Sequence, residues 1–414
     1  MNPKTSTTAE NAEAKPTLVP KLRFPEFRDF SEWKWDKVDE LVDTVTPPKK
    51  LPTSSYFSKG EFPIIDQSQN AICGWTDDHG ALIQVGLPLI IFGDHTCILK
   101  LVDRSFAQGA DGIKILKSRS IVCTSYLYQY LGYQPVVTEE YKRHYSILKE
   151  KVVLFPDFKT GEQQKIADCL CSLDELIAAQ ARKVDALKTH KKGLMQQLFP
   201  REGETQPRLR FPEFQSAGEW EVRKLEELAK RGSGHTPSKS SSEYYDGGIK
   251  WVSLADSKRL DCGLISRTKI EISKQGIKNS SAVLHPAGSV LISRDAGVGK
   301  SAVMEVSMAV SQHFIVWTCN PNLLSNWFLY YLLQKMKPIF ERIASGSTIK
   351  TIGLPFFKEL LVSVPSLPEQ QRIADCLTSL DDLITAQTQQ LETLKTHKKA
   401  LMQQLFPSAE GAGA

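Results

Sequence analysis

Residues 162–170 read EQQKIADCL, and residues 369–377 read EQQRIADCL. Farther along, LKTHKKGLMQQLFP at 187–200 returns as LKTHKKALMQQLFP at 394–407. The segments between these copies have no obvious similarity to each other. Two similar frames that hold two unlike inserts indicate an internal duplication, and this organisation is the main clue to both fold and function.

Each copy predicts one long helix with a single apolar stripe. Apolar residues follow one another in alternating steps of four and three, the a/d pattern of a coiled coil. Gln180 and Lys191 fill the gaps in the first stripe, and Gln387 and Lys398 fill those in the second. The predicted seam consists of Ile166, Leu170, Leu173, Ile177, Val184, Leu187, Leu194, Leu198, Ile373, Leu377, Leu380, Ile384, Leu391, Leu394, Leu401 and Leu405.

The length of these helices limits how they can be buried. Each should run for about 35 residues, or about 50 Å, before Pro200 or Pro407 ends it. A small domain cannot bury such a stripe, so we expect the helices to pair as an antiparallel coiled coil whose polar gap residues fix the register. The alternative is that each helix packs separately on its own neighbouring domain.

The bulk composition narrows the class of protein. With 414 residues, 41% hydrophobic and 24% charged, the chain has the make-up of an ordinary soluble protein of two or three domains. The net charge of +5 permits a nucleic-acid partner without requiring one. The eight cysteines form no C-x-x-C pair and no zinc spacing, and no signal peptide or membrane segment is evident. We therefore expect a reduced, cytoplasmic location.

The predicted fold class is α+β, with two globular α/β domains, two long helices that form an antiparallel coiled coil, and a pseudo-two-fold internal repeat. Short β-branched runs predict strands at 87–92, 151–155 and 289–293, and 326–344 predicts an amphipathic helix. The phrase LRFPEF opens both domains, at 22–27 and 209–214. The predicted boundaries are a disordered segment at 1–20, a first domain at 21–158, a central helix at 159–200, a second domain at 201–363, a C-terminal helix at 364–407 and a disordered tail at 408–414.

Motifs for catalysis are missing where they would be expected. The stretch 296–301, AGVGKS, resembles the end of a Walker A loop, but Arg294 stands where the first glycine should be. The following AVMEVSMAV predicts a strand, so a tight glycine turn between two strands is the simpler interpretation. No methyltransferase or nuclease motif stands out. We predict a chain without catalytic residues, metal ligands or a bound cofactor.

Polar and basic loops in both inserts suit contacts with DNA. Arginine and lysine can bind guanine edges or phosphates, and asparagine and glutamine can pair with adenine. Any one such residue could instead be ordinary solvated surface, and their concentration in loops carries the prediction. The candidates are Lys49, Lys50, Lys59, Gln67, Gln69, Asn70, Asp94, His95, Thr96, Arg143, His144, His235, Thr236, Ser238, Lys239, Lys258, Arg259, Arg294, Lys300, Ser345 and Ser347.

These phrases resemble the DNA-specificity subunit of type I restriction–modification systems. The helix start, R-I-A-D-C-L in the second copy and K-I-A-D-C-L in the first, and the repeated L-M-Q-Q-L-F helix end carry the resemblance, together with PSLPEQ at 365–370. HTPSKSSSEYYDGGIKWVSLAD at 235–256 and SGSTIKTI at 345–352 resemble its recognition domains. The first copy departs from the pattern, because FPDFKTGEQQ replaces the usual helix entry.

The resemblance implies a specific role. Members of the family read an asymmetric bipartite DNA target with two recognition domains, hold them apart with the long helices, and dock two modification subunits. Restriction subunits join the full complex. S-adenosylmethionine, ATP and Mg²⁺ would then act on those other subunits. Two alternatives are a DNA-modifying enzyme, such as a methyltransferase with an unrecognised site, and a coiled-coil scaffold that does not read DNA.

Overall fold

The computed structural model describes residues 18–110, 112–137, 143–346 and 350–407, and these form two compact units. The first comprises residues 1–180 and 390–414, and the second comprises residues 181–389. The predicted disorder at 1–17 and 408–414 lies outside the described residues. Residues 18–20 are ordered against the first unit, where the Leu18 carbonyl accepts a hydrogen bond from the Trp33 amide at 3.0 Å.

The first unit contains an α+β domain and the beginning of a long helix. Its strands are β1 (Lys34–Lys37), β2 (Val42–Thr44), β3 (Phe62–Ile65), β4 (Gly74–Thr76), β5 (Leu82–Ile83), β6 (Leu89–Gly93), β7 (Leu99–Val102), β8 (Phe106–Gln108), β9 (Ile113–Ser118) and β10 (Val152–Phe155). Its helices are α1 (Val38–Leu41), α2 (Thr124–Tyr133), α3 (Tyr145–Lys149) and the start of α4 (Glu162–Leu198).

The strands of the first unit form two four-stranded sheets and a two-stranded ribbon. The sheet orders are β2-β9-β6-β7 and β4-β3-β8-β5, and β1 pairs with β10. In the second sheet the β3–β8 pair is parallel, whereas β3–β4 and β5–β8 are antiparallel. The predicted strand at 87–92 corresponds to β6, all of whose residues are buried, as suits a central strand.

The second unit has the corresponding elements. Its strands are β11 (Glu221–Lys224), β12 (Ala229–Ser233), β13 (Tyr245–Val252), β14 (Leu264–Ile265), β15 (Ile270–Ile272), β16 (Leu284–His285), β17 (Val290–Ser293), β18 (Ser301–Met304), β19 (Met308–Val310), β20 (Phe314–Cys319) and β21 (Leu361–Val364). Its helices are α5 (Leu225–Leu228), α6 (Lys274–Lys278), α7 (Asn326–Ile343), α8 (Leu354–Lys358) and the start of α9 (Leu367–Leu405).

The two inserts share one fold despite their unlike sequences. The sheets of the second unit run β12-β20-β17-β18-β14 and β15-β13-β19-β16, with β11 paired to β21. The β13–β19 pair is parallel, like β3–β8. Apart from the additional edge strand β14, the strand order repeats that of the first unit. The predicted α+β class is confirmed, and the duplication extends into the inserts.

The two long helices fall close to their predicted positions. Helix α4 has 37 residues and α9 has 39, or about 55–58 Å at 1.5 Å per residue. Both cross the border of the compact units, after residues 180 and 389. All sixteen predicted seam residues are buried or half-buried. At the helix ends they pack into domain cores: Ile166 and Leu405 belong to the core of the first unit, and Ile373 and Leu198 to that of the second.

Within each unit, the start of one long helix runs antiparallel to the end of the other. In the first unit, Lys398 Nζ binds the Asp174 carboxylate at 2.6 and 2.7 Å. In the second unit, Lys191 contacts Asp381 in the same way. The two lysines are the gap residues of the predicted seam, and the repeat makes the two pairs equivalent. Their acidic partners were not anticipated from the sequence.

The LRFPEF phrase joins the two helices at each of these ends. In the first unit the Leu22 amide donates to the Gln404 carbonyl of α9 at 2.9 Å. The next residue, Arg23, binds Glu162 in the first turn of α4 through two hydrogen bonds of 2.8 and 2.7 Å. The side chains of this ion pair are only 6% and 1% exposed. The phrase therefore clamps the end of one helix to the start of the other.

The second unit repeats the clamp with the helices exchanged. The Leu209 amide donates to the Gln197 carbonyl of α4 at 3.0 Å. Arg210 binds Glu369 of α9 through two bonds of 2.7 Å, which raise the pKa of the arginine. No helix in the described ranges is sufficiently long and apolar to span a membrane.

We predict that Arg23→Ala strongly destabilises the first unit, because it leaves the Glu162 carboxylate buried without a counter-charge. The expected loss is about 3–5 kcal/mol of unfolding free energy. Hydrogen exchange of the first turns of α4 measures it. Lys34→Ala, which breaks an exposed pair with Asp157, is the matched control and should leave exchange unchanged. Equal exchange in the two variants would contradict the clamp.

Candidate nucleic-acid interface

In the first unit, the turn after the central strand β6 carries Asp94, His95 and Thr96. The Asp94 amide donates to the Gly112 carbonyl at 2.7 Å, and its own carbonyl accepts from the His144 amide at 2.8 Å. The Asp94 carboxylate accepts from the Tyr145 amide at the start of α3, at 2.9 Å. Asp94 and His144 are 5% and 1% exposed. These two predicted DNA contacts therefore hold the turn in place.

The segment after β3 is bound to this turn. Lys100 Nζ donates to the carbonyls of Asp66 at 2.7 Å and Asn70 at 2.6 Å. Thr96 Oγ1 donates to the Gln67 carbonyl at 2.9 Å. Burial lowers the pKa of Lys100. Three predicted candidates, Gln67, Asn70 and Thr96, thus lie close together, held by the Thr96 hydroxyl and by Lys100, a residue that sequence reasoning missed.

Two glycines make room for the Gln67 side chain. A Cβ on Gly112, whose φ is +101°, would lie 2.4 Å from Gln67 Nε2, and one on Gly93 would lie 3.1 Å from Gln67 Cβ. Within the described ranges, Gln67 Oε1 is buried and has no hydrogen-bond partner. The Gln67 amide is therefore held at the strand ends, and its Oε1 keeps an unused capacity to accept hydrogen bonds.

The remaining candidates of the first unit lie around or away from this group. Lys50 pairs by an isolated bridge with Gln108, at the strand end beside the Gln67 segment. Lys49 is exposed and binds Asp78 at 2.8 Å. Lys59 precedes β3 and so lies at the opposite end of that strand from Gln67. Gln69 and Arg143 are exposed.

In the second unit, the turn after the central strand β17 carries Arg294 and Lys300. This turn joins the antiparallel strands β17 and β18, so the predicted glycine turn between two strands is confirmed. Gly297 and Gly299 have φ values of +109° and +83°, which side-chain-bearing residues rarely adopt. Lys300 Nζ donates to the Ser257 carbonyl at 3.1 Å and to its hydroxyl at 3.2 Å. Lys300 therefore holds a neighbouring segment, much as Lys100 does.

Asp295 connects this turn to two further segments. Its carboxylate contacts the His313 ring at 2.8 Å and accepts a hydrogen bond from the Thr351 hydroxyl. Thr351 also pairs with Ser345 through backbone hydrogen bonds. Ser345 and Arg294 are thus brought to one place. Ser347, another candidate, lies outside the described residues.

The other candidates of the second unit divide in a similar way. Thr236 Oγ1 donates to Gln312 at 2.6 Å, and the His235 carbonyl accepts from Trp251 Nε1 at 3.1 Å. These contacts place residues 235–236 beside Gln312, the neighbour in sequence of His313, which contacts Asp295. Arg259 binds the buried Asp256 at 2.8 Å. Candidates that remain exposed are Ser238, Lys239 and Lys258.

The two turns occupy equivalent positions in the shared fold. Gly93 pairs with Ile113, and Ser293 pairs with Phe314, at the last step of each central strand pair. The next residue is Asp94 in one unit and Arg294 in the other. The Arg294 amide donates to the His313 carbonyl at 2.9 Å, and its carbonyl accepts from the Ile352 amide at 3.0 Å. These bonds match those of Asp94, so one backbone position carries opposite charges in the two units.

Sequence reasoning found both turns but missed the residues that fix them, namely Lys100, Asp295, His313 and Thr351. Lys100 lies between Leu99 and Leu101, and that alternation was the available signal for a lysine within a strand. In the described part of the chain, no group of three or more His, Cys, Asp or Glu side chains could hold a metal ion.

Comparison with known proteins points to one family. Residues 217–396 match the model of the type I restriction modification DNA specificity domain. The chain is 26% identical over 379 residues to the EcoR124I/EcoR124II specificity subunit of Escherichia coli, covering 88% of this chain and 90% of that protein. The resemblance to type I DNA-specificity subunits is confirmed. Because these relatives are named specificity subunits, the prediction that the chain is not an enzyme is confirmed too.

A second relative has a more local match. The chain is 30% identical over 179 residues to the MjaIX specificity subunit of Methanocaldococcus jannaschii, covering 43% of this chain. The match spans 41% of the length of that specificity subunit.

A solved structure supports the fold of the specificity-subunit family over nearly the whole chain. The S subunit of a type I restriction–modification system from M. genitalium aligns with a TM-score of 0.64, covering 94% of this chain and 99% of that one. At 17% sequence identity this likeness concerns the fold alone.

Proposed function

We propose that this chain is the DNA sequence-specificity subunit of a type I restriction–modification complex, in which each domain reads one half of an asymmetric bipartite target. The observation that carries the proposal is the shared fold with different chemistry at the same strand-end turn. One scaffold presents Thr96 in this turn, with Gln67 and Asn70 in the segment bound to it, in the first domain, and Arg294 in the second. Amide and guanidinium groups favour different base edges in the major groove, so the two domains would prefer different half-sites.

The long helices would set the distance between the two half-sites. At about 55–58 Å, each is longer than one and a half turns of DNA at about 34 Å per turn. The ion pairs Lys191–Asp381 and Lys398–Asp174 each join the two helices within one unit and would stiffen them there. With this spacing, the target would have an unread spacer between two short half-sites.

The repeated frame would dock two identical modification subunits. Leu176 of α4 is 55% exposed, and Leu383, the equivalent residue of α9, is 41% exposed. A large apolar side chain at the same exposed position of both repeats suits an interface that is used twice. Methyl transfer with S-adenosylmethionine and the ATP- and Mg²⁺-dependent steps would then belong to the modification and restriction subunits.

The principal test is a domain exchange. Replacing residues 30–155 with the corresponding domain of a relative should change one half-site and leave the other half-site and the spacer as they were. Sequencing of methylated motifs in DNA from cells that express the chain with its modification subunit measures this. The reciprocal exchange of residues 218–362 is the matched control and should change the other half-site. A change in both half-sites after one exchange would contradict the modular proposal.

The spacer role predicts a response to helix length. Inserting seven residues into both helices, near 180 and 387, keeps the seam in phase and adds about 10 Å, so the preferred spacer should lengthen by roughly three base pairs. The same methylated-motif sequencing measures the spacer. An insertion into one helix alone shifts its apolar stripe relative to that of the other helix and should weaken the pairing of the two helices. An unchanged spacer in the doubly extended chain would exclude the helices as the determinant of spacing.

The docking role predicts a stepwise loss of partners. Leu176→Asp or Leu383→Asp alone should reduce the bound modification subunits from two to one, and the double variant should bind none, because each aspartate places a charge in one apolar contact. Native mass spectrometry gives the stoichiometry. Leu264→Asp, which alters an equally exposed leucine of β14, should retain two. Two bound subunits in the double variant would locate docking elsewhere.

A further inference from the structure

The Arg294 side chain is the one feature of the second strand-end turn whose hydrogen bonding is left incomplete. Its backbone is fixed at both polar atoms by His313 and Ile352. Within the described ranges, its Nε is buried and has no hydrogen-bond partner. The nearest carboxylate oxygen, Asp295 Oδ1, lies 3.7 Å away. A buried donor without a hydrogen-bond partner is unfavourable, so this side chain is not in its most stable hydrogen-bonded state.

Asp295 can attract this guanidinium by its charge, but its Oδ1 lies too far from Nε, at 3.7 Å, to accept a hydrogen bond. The same carboxylate contacts the His313 ring through Oδ2 and accepts from the Thr351 hydroxyl through Oδ1. The acid therefore supplies a nearby negative charge without a hydrogen bond to Nε. The Arg294 side chain remains only 20% exposed, which restricts its conformations before any ligand binds.

The first unit supplies an internal comparison. Asp94 occupies the same backbone position, yet its carboxylate accepts from the Tyr145 amide and is buried. A carboxylate in that state presents no donor to DNA. The fold therefore does not need an arginine at this position, and a purely structural account of Arg294 would have to explain an unsatisfied donor that the equivalent residue avoids.

We propose that Arg294 is a specificity-determining residue of the second domain, reading a guanine of its half-site through O6 and N7 in the major groove. This inference rests on the proposed function. It adds which residue of the second domain contacts the target and which base that residue recognises. A guanidinium presents a planar fork that matches these two acceptors. A phosphate contact is less suited to this place, because phosphate contacts are made well by flexible exposed cations, such as Lys258 in the neighbouring segment, and need no fixed geometry.

The test compares Arg294→Gln with the unaltered chain in the complete complex with its modification subunits. Methylated-motif sequencing with graded enzyme levels measures discrimination at every position of the target. We expect discrimination at one G·C pair of one half-site to fall about 10- to 100-fold, with the other half-site and the spacer unchanged. Arg294→Lys should retain part of it, because lysine also donates to guanine. Thermal unfolding of each variant checks the fold, and if Arg294→Gln unfolds, the lysine variant decides.

Lys258→Gln is the matched control. It removes an exposed positive charge from the same domain, so binding should weaken uniformly across sequences, with a smaller salt dependence and no change at any base pair. If Arg294→Gln behaves like Lys258→Gln, or leaves discrimination intact, Arg294 is not a base reader and the inference is overturned. The proposed function itself fails on a different result, namely no sequence preference in the unaltered complex.

Discussion

Glu162 and Glu369 are buried carboxylates in the first turns of the two long helices. The residues around each of them must supply a positive charge and hydrogen bonds. A carboxylate removed from water costs several kcal/mol unless a cation and hydrogen bonds replace the solvent. Here the helix N-terminus and a bidentate guanidinium, from Arg23 or Arg210, supply both. Each arginine belongs to a segment whose preceding amide is bonded to the end of the other helix. The ion pair therefore fixes three parts of the chain relative to one another: the LRFPEF segment, the start of one long helix and the end of the other. This explains why the repeated sequence includes LRFPEF as well as the helices.

The domains between the helices are constrained less tightly, because their sheets need only apolar residues in suitable positions. Their sequences therefore differ. A buried sheet requires alternating or continuous apolar residues in the right order, and many sequences supply them. Strands β6 and β17, LIIFG and VLIS, meet this requirement without sharing a side-chain pattern at their ends. In the turn that follows each strand, the first residue is not part of the hydrophobic core. Its side chain can therefore change, from Asp94 to Arg294, while the backbone hydrogen bonds that position it stay the same.

These two conditions also determine how much could be predicted. The seam and the long helices follow from a repeat whose period is imposed by burial over ten turns of helix. The run AVMEVSMAV was predicted as one strand, but the structure divides it into β18 and β19 at residues 305–307, because Glu305 and Ser307 alternate with apolar residues as they would in a half-buried strand. Long-range partners were beyond reach as well. His144 resembled a polar DNA contact in the sequence, yet it is buried against the backbone of Asp94, fifty residues away.

The contacts between the long helices and each domain show why two domains of unlike sequence can pack on nearly identical helices. In the first unit, the Asp174 carboxylate receives Lys398 from the frame and Gln129 Nε2 from α2, at 2.7 Å.

In the second unit, Asp381 receives Lys191 and the Tyr331 hydroxyl of α7, at 2.8 Å. Gln129 and Tyr331 each lie six residues after the N-cap of their helix, and the amide of that N-cap donates to Gln163 or Gln370 of the frame. The two long helices therefore require two contacts from each domain: the backbone amide of an N-cap residue and a side-chain donor six residues later. The donor can be an amide, as in Gln129, or a hydroxyl, as in Tyr331. A domain that meets these two requirements can replace another without changing the carboxylates, lysines and glutamines of the frame, so recognition can change while the frame remains intact.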